Sequence, residues 1–387
     1  MLSSLVAIVL ARMAYGLILP EMRDALGFSQ QQAGQLGSVT ALGYLVFVLP
    51  GGWVASRWGA RHTVLSGLGL ISLGFAGLTL AGSWWPTAAL MLLLGLGTAF
   101  CFAPMLSLIA TWYPLQRGLM IGWMTTGIGL GLLLSGLLVP PLMQWVGVHG
   151  WRVSWAVFGV IALAAMALVW WGVRDPPTPV AAPLAEHAAA VDRWRVYRSR
   201  RVLTVALAYA VIGGVHIVQT LFMFSYVVAS GVASTTAGQL FALSGTLSVL
   251  CAPIWGLLSD RWGRGNSLLL AMGMVTLALA LPLLQPTLPM FVLHYVVMGL
   301  GAQGAFTMVQ ASSTEQVAPE DIPVAISFVT LFYAGGQFIG PAVASPLIDI
   351  WGFPTALLMC CLIMLGGLVL SWRIRSFGPL PLDLTKN

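Results

Sequence analysis

Charged residues divide the chain into long uncharged stretches, and the lengths of those stretches predict its elements. Residues 25–56, 62–116, 118–151, 153–173, 202–259, 265–314, 322–348 and 350–372 carry no Asp, Glu, Lys or Arg. A helix needs about 20 apolar residues to cross a hydrocarbon layer of roughly 30 Å. On that measure 62–116, 202–259 and 265–314 each hold two spans and the other five hold one. With the stretch from Leu2 to about Met22 the pattern predicts twelve membrane helices. The double stretches divide at turn formers: Gly82-Ser83-Trp84-Trp85-Pro86, Ser230-Gly231-Val232-Ala233-Ser234 and Gln285-Pro286-Thr287. The first stretch lacks a basic leader and carries Arg12 inside its apolar run, so it is expected to remain as a helix rather than be cleaved as a signal.

An even number of spans places both termini on one side, and the positive-inside rule selects the cytoplasm. Fourteen basic residues then fall inside, from Arg57 and Arg61 through the Arg193–Arg201 cluster to Lys386, against Arg23 and Arg152 outside. Composition agrees with a many-helix membrane protein, since 59% of the 387 residues are hydrophobic and 7% are charged. A soluble domain carries about 25% charged residues, which excludes a water-soluble enzyme. The net charge of +6 is an inner-leaflet signature and points to anionic lipid headgroups as partners, not to nucleic acid. The expected location is a bacterial inner membrane, crossed many times. Cys101, Cys251, Cys360 and Cys361 lie in apolar runs without metal or redox spacing. No metal-ligand cluster, nucleophile-base motif or phosphate loop is apparent, so neither a cofactor nor an enzymatic activity is expected.

Residues 174–201 form the long linker, opening Asp-Pro-Pro-Thr-Pro and ending in a basic strip. It separates an N-terminal six-helix bundle (1–173) from a C-terminal one (202–373), followed by a cytoplasmic tail (374–387). The halves align at an offset of 204: Ala33-Gly34-Gln35-Leu36 falls on Ala237-Gly238-Gln239-Leu240, Arg57-Trp58-Gly59 on Arg261-Trp262-Gly263, and Gly95-Leu96-Gly97 on Gly299-Leu300-Gly301. Later the offset is 205, where Pro141 meets Pro346 and Gly147 meets Gly352. Parallel repeats of this kind imply two bundles related by an axis along the membrane normal, with a site between them at mid-depth.

The two loop sequences Gly52-Trp-Val-Ala-Ser-Arg-Trp-Gly-Ala-Arg61 and Gly256-Leu-Leu-Ser-Asp-Arg-Trp-Gly-Arg264 resemble the paired G-x-x-x-D-R-x-G-R motif of the major facilitator superfamily. The resemblance implies a monomeric secondary transporter working by alternating access, with helices 1, 4, 7 and 10 lining its cavity. The run Arg12-Met-Ala-Tyr-Gly-Leu-Ile-Leu-Pro20 is similar to the YbfB-type branch and to cyanate-type carriers, and Gly150-Trp-Arg152 to monocarboxylate-type carriers. Ser56 replaces the motif Asp, Met91 stands where many proton-coupled relatives carry Arg, and helix 5 lacks the antiporter Gly-Pro pair.

Arg12 is the sharpest chemical signal. At about 1.5 Å per residue it lies near the bilayer centre, where arginine costs roughly 2.5 to 3.5 kcal/mol and must meet water or a partner. No carboxylate shares that depth; Glu21 and Asp24 are about 13 and 18 Å further along the helix. A lone fixed cation in a central cavity suits an anionic ligand, held by two hydrogen bonds where the ligand is a carboxylate. Adding 204 to Arg12 gives His216, whose neutral-range titration suits a co-ligand or proton carrier. Around it Tyr209, Gln219 and Thr220 make a polar stripe, while Tyr15 follows Arg12 by three residues on the same α-helical face. His294 and Gln303, nine residues apart on helix 10, face opposite ways, so one of them looks into the cavity; Tyr333 and Gln337 make a four-residue pair on helix 11.

Basic loop 2–3, with Arg57 and Arg61, and acidic loop 10–11, with Glu315, Glu320 and Asp321, are expected to pair across the cytoplasmic mouth when the carrier faces out. Asp260, next to Arg261, would make the mirror contact with Arg117. The expected function is secondary transport of a small organic anion, a monocarboxylate, with Arg12 as the anion anchor and His216 as a co-ligand or a proton site. Export of amphipathic compounds through aromatic, Met-rich walls is the alternative.

Overall fold

The computed structural model describes residues 1–112, 117–174, 193–317 and 322–377, whose regular structure is helical throughout. Helix α1 runs Leu2–Leu26 in three pieces: one α-helical turn at Leu2–Ser4, a π-helix at Leu5–Met13 and an α-helix at Tyr15–Leu26. The change of register is visible where the Ala14 N–H donates to the Val9 carbonyl, five residues back, at 2.8 Å. Every residue of the π segment is buried, so its wide ladder is held by the helices around it. Such segments are rare and cluster at functional sites.

Helix α2 (Gln30–Trp58) opens with a capping box in which the Ser29 hydroxyl accepts from the Gln32 N–H while the Gln32 side chain accepts from Ser29. Helices α3 (Ala60–Thr79), α4 (Trp84–Trp112), α5 (Arg117–Val146) and α6 (Gly150–Gly172) complete the first half. After a short helix at Arg193–Arg198 come α7 (Arg200–Ala229), α8 (Ser234–Trp262), α9 (Arg264–Leu284), α10 (Leu288–Glu315), α11 (Ile322–Trp351) and α12 (Phe353–Arg375). Ten stretches of the described residues are long and apolar enough to cross a membrane, one of them the 47-residue Thr126–Gly172 that contains most of α5 and all of α6. Large apolar side chains such as Leu80, Val160, Leu257 and Leu284 stand exposed on the outer faces, as lipid-facing surface requires.

The repeat has a backbone cause at its glycines. Gly59 and Gly263 end α2 and α8 at φ of 88° and 80°, and Gly147 and Gly352 follow α5 and α11 at 67° and 82°. Only glycine takes these conformations without strain, so the same turns keep the same residue in both copies.

The halves meet most closely along α2 with α11 and α5 with α8. A side chain on Gly34 would strike Ser345, and one on Gly238 would strike the Gly136 carbonyl and Pro140. These approaches lie toward the end remote from the chain termini. At that distal end the Gln31 N–H, in the first turn of α2, donates to the Asp349 carboxylate on α11 at 2.9 Å, and Gln144 on α5 donates to Ser234 at the start of α8 at 3.2 Å. Gln144 and Asp349 are 205 residues apart, and Gln31 and Ser234 are 203 apart. The two distal contacts therefore join equivalent helix ends, α2 with α11 and α8 with α5, through different groups: a backbone N–H on a carboxylate in one and a side-chain amide on a hydroxyl in the other.

Candidate functional site

Arg12 sits at the end of the π segment, 7% exposed. Its Nη2 donates to Oε1 of Gln337, on α11 of the opposite half, at 2.5 Å. Its guanidinium carbon lies 4.8 Å from the centre of the Tyr44 ring, contributed by α2. A guanidinium has five N–H donors, and among the described residues Gln337 is the acceptor and no carboxylate pairs with it. The cation is thus held by a neutral amide oxygen and a ring face, which leaves donors available to an anion.

Gln337 passes the contact on. Its Nε2 donates to the Tyr333 hydroxyl at 2.8 Å. The Tyr333 ring stacks on Tyr209 of α7 with centroids 4.5 Å apart and planes at 24°. Gln310 of α10, which is exposed, donates to the Tyr209 hydroxyl at 2.8 Å. This stacking requires glycine at 213, because a Cβ there would run into the Tyr333 backbone and ring. Phe306 stands edge-on to Tyr209, Tyr333 and His216, 4.9 Å from the last. His216 is half-buried and, with Ile212, Met298 and Met364, borders a small apolar cavity inside the C-terminal half. Arg12, Tyr209, His216, Tyr333 and Gln337 are thereby joined in one chain of contacts at the junction of α1, α7, α10 and α11.

The remaining candidates lie elsewhere. Tyr15 turns away from Arg12 because the chain passes from π to α register between them; its hydroxyl donates to the Ala33 carbonyl of α2 at 2.8 Å. Gln219 and His294 contact each other at 3.3 Å, and the His294 Nδ1 lies 2.7 Å from the Ala278 carbonyl. Both are buried among α7, α9 and α10, so the polar stripe on α7 divides: Tyr209 and His216 join the arginine cluster, while Gln219 joins a network inside its own half. Gln303 donates to Thr307 on its own helix.

Of the loop charges, Glu315 pairs with Arg264 of its own half at 2.5 Å. Arg57 covers the Trp53 ring at 4.4 Å, and Arg61 donates to the Trp170 carbonyl at 2.6 Å. Arg261 is exposed. The side chains of Arg117 and Asp260, and residues Glu320 and Asp321, lie outside the described residues.

Three members of the cluster escaped the sequence reading: Tyr44, Phe306 and Gln310. An aromatic in an apolar helix has no polar periodicity to mark it. Gln310 did carry a signal, since it follows Gln303 by seven residues and so shares its α-helical face.

Comparison with known proteins agrees with this architecture. Over 270 residues the chain is 29% identical to monocarboxylate transporter 11 of Homo sapiens, covering 67% of this chain and 55% of that protein. It is 28% identical to the hexuronate transporter of Bacillus subtilis (strain 168) over 43% of this chain and 39% of that one. It is 30% identical to a gallate transporter of Pseudomonas putida over 46% and 40%. The chain spans about half the length of these curated relatives. A solved bacterial homologue of the human lysosomal transporter Spinster, inward-facing and unoccupied, superposes with a TM-score of 0.78 at 16% identity, covering 97% of this chain and 95% of that one. The nucleoside transporter NupG superposes at 0.76 and 15% identity, covering 97% and 99%. The family model of the Major Facilitator Superfamily matches residues 1–268 and 220–384, and with the repeated two-half architecture this places the chain in that superfamily.

Proposed function

We propose that the chain is a secondary active transporter that moves a small organic anion, a monocarboxylate, by alternating access. The observation that carries the reading is Arg12: a buried guanidinium between the halves whose partners are an amide oxygen and a ring. A membrane-embedded charge with no counter-charge is favoured when its ligand supplies one. The names of the monocarboxylate, hexuronate and gallate relatives all denote acids, which supports the same substrate class. A single cation suits a single carboxylate. His216 is assigned as co-ligand or proton site, and Tyr209, Tyr333 and Gln337 as the walls.

The reading includes twelve spans with both termini cytoplasmic. Thr126–Gly172 is about 70 Å long at helical rise, twice the hydrocarbon thickness, which favours two crossings. Close packing at the distal end fits an inward-facing carrier whose mouth lies at the cytoplasmic end. Arg57, Arg61 and Arg117, with Asp260, Arg261, Glu315, Glu320 and Asp321, would close that mouth in the outward-facing state. Location in a bacterial inner membrane, with the basic strip on anionic lipid, completes the proposal.

The test is thermal stability of the purified protein against a panel of carboxylates and cationic dyes, repeated with Arg12→Gln. Stabilisation by free ligand follows its occupancy of the folded state. Carboxylates are expected to raise Tm in the wild type and to lose that effect in the variant. Stabilisation by dyes with no response to any anion would overturn the reading in favour of an exporter of amphipathic compounds.

A further inference from the structure

The bond between Arg12 and Gln337 joins side chains 325 residues apart, on helices that belong to different halves. Both residues are buried, and the acceptor is an amide oxygen, which offers one edge of what a carboxylate would offer without the charge. A carboxylate that takes both oxygens to the Nη2 edge of Arg12 competes for the place this oxygen holds, while Tyr44 lies over the guanidinium and leaves its N–H edges open. Gln337 is in turn tied through Tyr333 and the Tyr209 stack to Gln310, so its release is felt along α11, α7 and α10.

We propose that Gln337 is a built-in stand-in for the substrate carboxylate: it holds Arg12 in the empty carrier, and the incoming carboxylate displaces it and so unties α1 from α11. The inference rests on Arg12 being the anion site and adds a residue that sets affinity and couples binding to movement of the halves. Two consequences follow. Every anion binds against an internal competitor, which keeps affinity moderate and release possible. The empty site stays stable although it contains a buried cation, because a hydrogen bond to a charged group is stronger than one between neutral groups.

Two variants and two small probes test it without knowledge of the natural substrate. Formate and acetate are carboxylates small enough to report on Arg12 whatever tail the natural ligand carries. Gln337→Leu removes the competitor. It is expected to lower Tm in anion-free buffer and to tighten formate and acetate binding about tenfold or more, the equivalent of roughly 1.4 kcal/mol for the displaced bond. Gln337→Glu tethers a carboxylate in place; it is expected to raise Tm in anion-free buffer and to abolish the response to both probes.

A purely structural glutamine predicts otherwise, with both variants destabilised and the affinity for formate unchanged or weakened in Gln337→Leu. That result would overturn the proposal while leaving the anion site intact, provided the wild type responds to formate and Arg12→Gln does not. If the wild type ignores every carboxylate, or Arg12→Gln binds as the wild type does, the functional reading itself has failed.

Discussion

The distal seal depends on two glycines that face each other across the halves, Gly136 on α5 and Gly238 on α8. A Cβ on Gly238 would overlap the Gly136 carbonyl and the Pro140 ring, and one on Gly136 would overlap the Gly238 carbonyl and the Ala242 backbone. The obstructing atoms are mostly backbone, so no rotamer change relieves the clash and the helices must separate. Overpacking of this sort costs about 1 to 3 kcal/mol. Placed on the closed state alone, that shifts the balance between distal-closed and distal-open forms by about 5- to 150-fold. Gly238→Val should therefore populate the distal-open form. The reporter is Ser345→Cys, because Ser345 is fully buried against Gly34 when the end is sealed. The native cysteines are buried and give a low background. Labelling by a membrane-impermeant maleimide added from the distal side should quicken by a factor within that range. Gly273→Ala is the control, since a Cβ there meets nothing within 4 Å. Unchanged labelling in Gly238→Val, or an equal rise in the control, would refute the claim that these glycines set the seal.

Two further predictions use the same reporter. Asp349→Ala removes the carboxylate that caps α2 from the other half; a charge at an exposed helix N-terminus is worth about 0.3 to 1 kcal/mol, so labelling should rise about two- to fivefold, more than in Gln144→Ala, whose contact is neutral. The joint charge reversal Arg57→Glu with Arg61→Glu should hold the carrier inward-facing and slow distal labelling, whereas unchanged labelling would remove these residues from the cytoplasmic gate.

Much of this chain was legible from residue types alone, for reasons particular to membranes. Arg12 stood out because nothing else charged lies at its depth, and the structure gives it a partner between the halves. The offset of 204 between Arg12 and His216 was readable because whole helices repeat in register. Tyr15 was misplaced because spacing arguments assume an α-helix, and the π segment Leu5–Met13 turns the chain through a different angle per residue. Gln219 was misplaced because a polar residue on α7 does not announce which neighbour will satisfy it; His294 of α10 does so from within the same half.

The division follows from how the energies depend on distance along the chain. The long apolar stretches and the repeat are sums over neighbouring residues, since burial in lipid is decided helix by helix. Those were determined by sequence. The choice of Gln337 as the partner of Arg12, the stacking of Tyr209 on Tyr333, and the pairing of Asp349 with the start of α2 depend on helix rotation and on how closely two halves approach. Glycine contacts between distant helices set that approach, and only the packed structure decides it.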